Sequence, residues 1–296
     1  VHFSSIVTRC NPGAALTGRA TLSHVTTKST GYLHGYRAEE RERLHRQARF
    51  LEPTVHDGLP YERRTKLLEV GCGVGAQTEI LLRRWPGLTV TGVEINDEQL
   101  AEARRFLATV PSAAGRVVLA KGDATQLEYG ESTFDSAFLC WVLEHVGDPA
   151  RVLAEVRRVL VPGSPVVCSE VLNATFFVEP YSKDTLRYWT ALNEEQLAMG
   201  GDPFVGAKLG NLLSGAGFSE VVTEVKSFHL DNRDPARRAE FLGYWSELLL
   251  SSAPALLGAR MVDESVVEGM REELARVAHD PSSVFFYSFI QAQARA

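Results

Sequence analysis

Two hydrophobic rhythms divide this chain. Short apolar runs at 66–71, 89–94, 116–121, 134–140 and 165–170 predict strands. Between them, 76–84, 97–109 and 149–160 carry apolar residues at helical spacing and predict helices. This alternation predicts an α/β fold built on a parallel, doubly wound sheet. Val161-Pro162-Gly163 stops the last of these helices before its strand.

The flanks read differently. Residues 1–30 are rich in Ser, Thr and Gly, show no period, and predict a loose tail. Residues 38–51 predict a helix with acids early and arginines late, and with Leu44, Ala48 and Leu51 as its apolar stripe. Beyond Glu170 the βα rhythm breaks. Residues 171–205 hold Phe176, Phe177, Tyr181, Tyr188, Trp189 and Phe204. A helix over 206–216, a strand over 218–226, a helical stretch over 235–279 and a closing strand over 284–292 complete the reading.

Chemistry concentrates where the first strand ends. Glu69-Val70-Gly71-Cys72-Gly73-Val74-Gly75 places three alternating glycines between a strand and a helix. Glycine permits the tight turn and close ligand approach that a nucleotide crevice needs. Gly71-x-Gly73-x-x-Ala76, with Glu94 at the second strand end, fits a relaxed dinucleotide fingerprint, so a nicotinamide-dependent oxidoreductase stays open as an alternative. An acid at Glu69 crowds a diphosphate but suits an ammonium. Glu94 and Asp123 end the next two strands, where ribose hydroxyls and an adenine amino group would find acceptors.

The combined set of Glu-x-Gly-x-Gly-x-Gly, Glu94, Gly122-Asp123-Ala124, the Phe134-Asp135 strand leaving through Leu143-Glu144-His145, and Leu160-Val161-Pro162-Gly163 resembles class I S-adenosylmethionine-dependent methyltransferases. The resemblance is strong over 65–170. It implies a Rossmann-like seven-stranded sheet with an antiparallel final strand, and S-adenosylmethionine as cofactor, with S-adenosylhomocysteine as product. By the same resemblance Glu69, Gly71, Cys72, Gly73 and Gly75 face the methionine end. Glu94 takes the ribose hydroxyls, Ile95 lies beside the adenine, Asp123 and Ala124 hold the adenine, and Gln99 belongs to the same cofactor-binding set. Cys140, Trp141 and His145 line the sulfonium side. Gly31-Tyr32-Leu33-His34-Gly35-Tyr36 is similar to N-terminal lids of small-molecule methyltransferases, which makes Tyr32, Tyr36 and His34 closing residues. The implied organisation is a tail (1–30), a lid (31–60), a cofactor-binding core (61–170), a cap insertion (171–205), core (206–230), a helical cap (231–282) and a final core strand (283–296).

Methyl transfer to an activated donor asks the protein for alignment and a dry pocket, plus a base where the acceptor must lose a proton. Glu144, His145, His34, Glu170, Glu179 and His229 are the candidates, with His145, Glu170 and His34 favoured. Arg43 and Gln47, one helical turn apart, can reach the donor carboxylate. The acceptor is expected under the insertions, on Phe177, Tyr181, Tyr188, Trp189 and Trp245, a set that suits a flat aromatic molecule. The overall style resembles natural-product methyltransferases, including those that methylate carbon 3 of an indole; O- or N-methylation of another small molecule is the alternative.

Composition narrows the partners. The 296 residues carry a net charge of −6 without a long basic run, which disfavours nucleic acid and macromolecular substrates. Cys10, Cys72, Cys140 and Cys168 have neither metal nor disulfide spacing, and no metal is expected. No apolar stretch reaches membrane-spanning length and no signal-peptide pattern opens the chain, so the expected setting is cytoplasmic. The helical insertion can serve as pocket cap, as homodimer seam, or as both.

Overall fold

The structure, a computed structural model, describes residues 38–296; the expected tail and the lid residues Tyr32, His34 and Tyr36 lie outside the described residues. Five parallel strands form the core of the sheet: β1 (Lys66–Val70), β2 (Thr89–Glu94), β3 (Val117–Lys121), β4 (Ser136–Cys140) and β5 (Pro165–Val171). Their order is β3-β2-β1-β4-β5, so the chain reverses direction of winding between β1 and β4. A crevice opens at the carboxyl ends of strands flanking such a reversal. The connecting helices are α2 (Ala76–Arg84), α3 (Asp97–Leu107) and α4 (Pro149–Val159).

Local chemistry explains their boundaries. Asn96 accepts the backbone N–H groups of Glu98 and Gln99 and starts α3. Asp148 accepts the N–H of Arg151, and Pro149 fills the first position of α4, where its missing N–H costs nothing. Val152, Leu153, Val156 and Val159 then bury one stripe of α4 against the sheet.

The second half contains one strand more than expected. After β5, a single 3-10 turn at Asn173–Thr175 leads into β6 (Phe177–Glu179), which pairs with the last strand where β5 leaves off. That last strand, β8 (Val284–Arg295), runs antiparallel to β5, β6 and β7 (Ser219–Leu230), giving eight strands rather than seven.

The insertions are helical. α5 (Lys183–Ala198) occupies the first, although its sequence alone predicts no helix there. Its start is capped from far away: Glu273 accepts the N–H groups of Asp184 and Thr185 and the Thr185 hydroxyl. The expected helix over 206–216 is a 3-10 turn followed by α6 (Leu209–Gly215). The stretch over 235–279 is two helices, α7 (Pro235–Gly258) and α8 (Glu264–His279), the second capped by Asp263. Arg238 of α7 is fully buried and donates to the carbonyls of Ala278, Asp280 and Ser283, which fixes the turn from α8 into β8. α1 (Ala38–His56) continues one turn past its expected end and packs on α2.

One buried group makes the fold sensitive to acid. His56, at the end of α1, is fully buried beside Phe138, and burial pushes its pKa down to about 4. The unfolded chain therefore takes up this proton first, and stability falls as pH drops from 6.5 towards 4. His56→Leu should remove about 2–3 kcal/mol of the stability difference between pH 7.5 and pH 4.5. Urea unfolding of both proteins at the two pH values measures it; parallel pH slopes would contradict the assignment.

Candidate functional site

The glycine turn is shaped by what crosses it. Gly71, Gly73 and Gly75 all have positive φ, at 67°, 52° and 80°. At Gly71 a Cβ would meet the Val142 side chain at 2.7 Å, so only glycine lets the turn lie against the exit of β4. Gly71 N and Cys72 N donate to the carbonyl of Val93, which ties the turn to the tip of β2.

Glu94 completes that tie. One carboxylate oxygen accepts Gly73 N at 3.0 Å and the other accepts Asn96 N at 2.8 Å. Burial raises its pKa, while the two backbone donors favour the charged form. Each oxygen keeps a lone pair for a ligand. At the tip of β3, Asp123 Oδ1 accepts Thr125 N and Thr125 Oγ1, an arrangement that fixes the side chain and leaves Oδ2 without a protein partner among the described residues.

These tips open into one cavity of about 340 Å³. Gly71, Cys72, Gly73, Glu94, Ile95, Gln99, Asp123, Ala124, Cys140, Trp141 and His145 all line it, so most of the expected donor residues share one wall. Arg43 and Gln47 of α1 line it as well; Arg43 is gripped by Glu40 through two hydrogen bonds of 2.6 and 2.7 Å. The other end is aromatic. Trp189 of α5, Phe241, Tyr244 and Trp245 of α7, Phe228 of β7, and Tyr287 and Phe289 of β8 surround it. Trp245 packs at 4.7 Å from Tyr287 and 5.6 Å from Trp189, ring centre to ring centre.

Several expected site residues are absent from these walls. Glu69 is buried behind the turn, where Thr78 Oγ1 donates to it at 2.6 Å and burial pushes its pKa up to about 8. Gly75 packs against α3. Glu170 is fully buried below the β4 exit, and its carboxylate accepts the N–H groups of Val142, Leu143 and Glu144. Three backbone donors already hold it, so its geometry is that of a loop organiser rather than a base. Phe177 and Tyr181 are solvent-exposed on the outer edge of the first insertion. Tyr188 points into the α5–α7 packing, its hydroxyl donating to the Leu249 carbonyl. Tyr32, Tyr36 and His34 lie outside the described residues.

Of the other wall residues, Asn173 and Gln196 carry no signal in the sequence, whereas Glu144 is among the candidate bases. Asn173 accepts the Tyr287 hydroxyl, donates to Asn193, and receives Trp189 Nε1 on its carbonyl. Glu144 accepts Gln196 Nε2 at 2.9 Å. Gly201 lets the turn after α5 reach this point, since a Cβ there would stand 2.5 Å from the Glu144 carbonyl. Among the described residues no cluster of three or more His, Cys, Asp or Glu side chains is arranged to hold a metal, and no helix is long and apolar enough to cross a membrane.

A doubly wound sheet with a glycine turn, acids at the tips of β2 and β3, and a capped cavity at the switch point defines a nucleotide-binding α/β class. Residues 68–168 match the methyltransferase domain family. That stretch is a class I S-adenosylmethionine-dependent methyltransferase domain. The chain is 30% identical over 141 residues to 27-O-demethylrifamycin SV methyltransferase of Amycolatopsis mediterranei, covering 47% of this chain and 50% of that protein. It is 33% identical over 162 residues to O-methyltransferase cnsE of Penicillium expansum, covering 54% of each. The chain thus spans about half the length of these curated relatives. A solved structure of Haemonchus contortus phosphoethanolamine N-methyltransferase 2, in complex with S-adenosyl-L-methionine, superposes with a TM-score of 0.51 at 17% identity, over 84% of this chain and 52% of that one. At this identity the likeness is one of fold.

The reassignment of Glu170 is open to measurement. Glu170→Ala strips three backbone N–H groups of their acceptor and should destabilise the protein by about 2–4 kcal/mol in urea unfolding. A side chain serving only as a proton acceptor would leave stability unchanged.

Proposed function

We propose that this chain transfers a methyl group from S-adenosylmethionine to a small aromatic molecule, with carbon 3 of an indole as the favoured acceptor atom. The observation that carries this reading is the single cavity joining the carboxylates of Glu94 and Asp123 to a chamber of aromatic rings. Relatives named for methylation of 27-O-demethylrifamycin SV and of norajmaline support a small-molecule acceptor.

The donor set fits the cofactor. Glu94 offers two oxygens to a ribose, Asp123 Oδ2 offers an acceptor to an adenine amino group, and Ile95 presents an exposed apolar face beside them. Gln99 abuts Gly73 and shapes the same wall. Gly73 N–H, which a dinucleotide fold would turn towards a diphosphate, is already taken by Glu94. Two phosphates would also meet the charge of that carboxylate. This disfavours the nicotinamide alternative.

When bound, S-adenosylmethionine supplies a methyl group on a positively charged sulfur. The chain supplies the rest. Trp141 and Cys140 wall the space between the donor tips and the aromatic chamber. Burial raises the Cys140 thiol well above its ordinary range, so it acts as a neutral wall and not as a nucleophile. Trp189, Tyr244 and Trp245 exclude water and orient a flat acceptor by stacking. His145, at the cavity edge, is placed to hold a proton that an acceptor releases.

Two measurements test the reading. Mass spectrometry after incubation with isotopically labelled donor and a panel of indoles, phenols and amines should show a labelled methyl on an indole carbon. Label appearing on oxygen or nitrogen alone would replace the carbon assignment. Glu94→Ala should weaken S-adenosylhomocysteine binding by about 1–3 kcal/mol in calorimetric titration; unchanged affinity would remove Glu94 from the donor site.

A further inference from the structure

The acceptor end of the cavity holds a carboxylate with an open oxygen. Glu144 leaves β4 on a 3-10 turn and is largely buried. Its Oε2 accepts Gln196 Nε2, and its backbone carbonyl accepts Gln196 Nε2 and Asp202 N. Glu144 is thus clamped by the first insertion at three points. Its Oε1 accepts no hydrogen bond among the described residues; its neighbour there is His145 Nε2 at 3.6 Å, too far for a hydrogen bond but within ion-pair reach when the imidazole is protonated. Glu144 and Gln196 both line the cavity that Trp141, Trp189, Trp245 and Tyr287 also line, and the Glu144 charge acts on the buried hydroxyls of Tyr244 and Tyr287.

The charge around it is one-sided. Glu94, Asp123 and Glu144 are the carboxylates on the cavity wall. Arg43 is the only lysine or arginine among the described wall residues, and Glu40 occupies its guanidinium through two hydrogen bonds. Aromatic faces attract cations, and a buried carboxylate with an unfilled oxygen demands a donor. An anionic acceptor would meet three wall carboxylates here, against one guanidinium already bonded to Glu40 and the imidazole of His145.

Building on the methyl-transfer reading, we infer that Glu144 anchors the acceptor and that the acceptor is an aromatic molecule carrying a protonated amine. The ammonium donates to Glu144 Oε1 and rests against the surrounding rings. An ammonium held this way keeps its proton and has no lone pair, so the methyl group goes to another atom of the molecule. Glu144 is therefore a specificity residue, and the clamp from Gln196 sets its position.

Calorimetric titration of the full chain loaded with S-adenosylhomocysteine tests this, with tryptamine and 2-phenylethylamine as probes against indole-3-acetate and phenylacetate. The amines should bind at least roughly tenfold more tightly than the acids of matching ring. In Glu144→Gln the ratio should fall to about threefold or less, with S-adenosylhomocysteine affinity retained. Equal or tighter binding of the acids, an unchanged ratio in the variant, or no binding of either amine to the loaded protein would each overturn the inference. Should the variant not fold, the wild-type ratio decides alone. Failure of S-adenosylhomocysteine itself to bind would instead overturn the methyl-transfer reading.

Discussion

The hydrogen bond from Gly73 N to the Glu94 carboxylate is the contact on which the site depends. It joins the turn after β1 to the tip of β2 and sets the height of the glycine loop above the sheet. It also converts an anion-binding turn into a site of opposite preference. A glycine loop with free N–H groups attracts phosphate, whereas the same loop bonded to a carboxylate presents negative charge to its ligand. Because Glu94 is mostly buried, that charge is poorly screened, and its cost is offset in part by two backbone donors.

The parallel half of the fold was legible because its determinants are local. Each strand is a short apolar run, and α3 and α4 carry their own caps at Asn96 and Asp148. The second half was less legible because its determinants are distant. α5 is capped by Glu273, about a third of the chain away, and β6 exists only because β8 offers it a partner. Nothing near residues 183–198 or 177–179 announces either contact.

The same distinction separates the expected site residues that line the cavity from those that do not. Glu94 and Glu170 both stand at strand ends, yet Glu94 faces the cavity, while Glu170 meets three N–H groups from the β4 exit. The difference lies in what crosses above each strand. Tyr188 and Trp189 are neighbours, but on a helix they point about 100° apart. One fills the packing against α7 and the other reaches the cavity. A segment read without a helix gives no basis for choosing between them.

The insertions also explain how a common core acquires a selective pocket. The walls from β1 to the exit of β4 combine the glycine turn with Glu94, Ile95, Gln99, Asp123, Trp141 and His145. The aromatic walls come from α5, α7, β7 and β8, all beyond residue 170. Glu144 sits at the junction, on the core side but clamped by Gln196 of the first insertion. A change in that insertion can therefore move the carboxylate inferred to anchor the acceptor without touching Glu94 or Asp123. On the proposed reading, acceptor choice depends on the insertions that clamp Glu144 while donor binding depends on the tips of β1 to β3, which allows the first to vary while the second stays fixed.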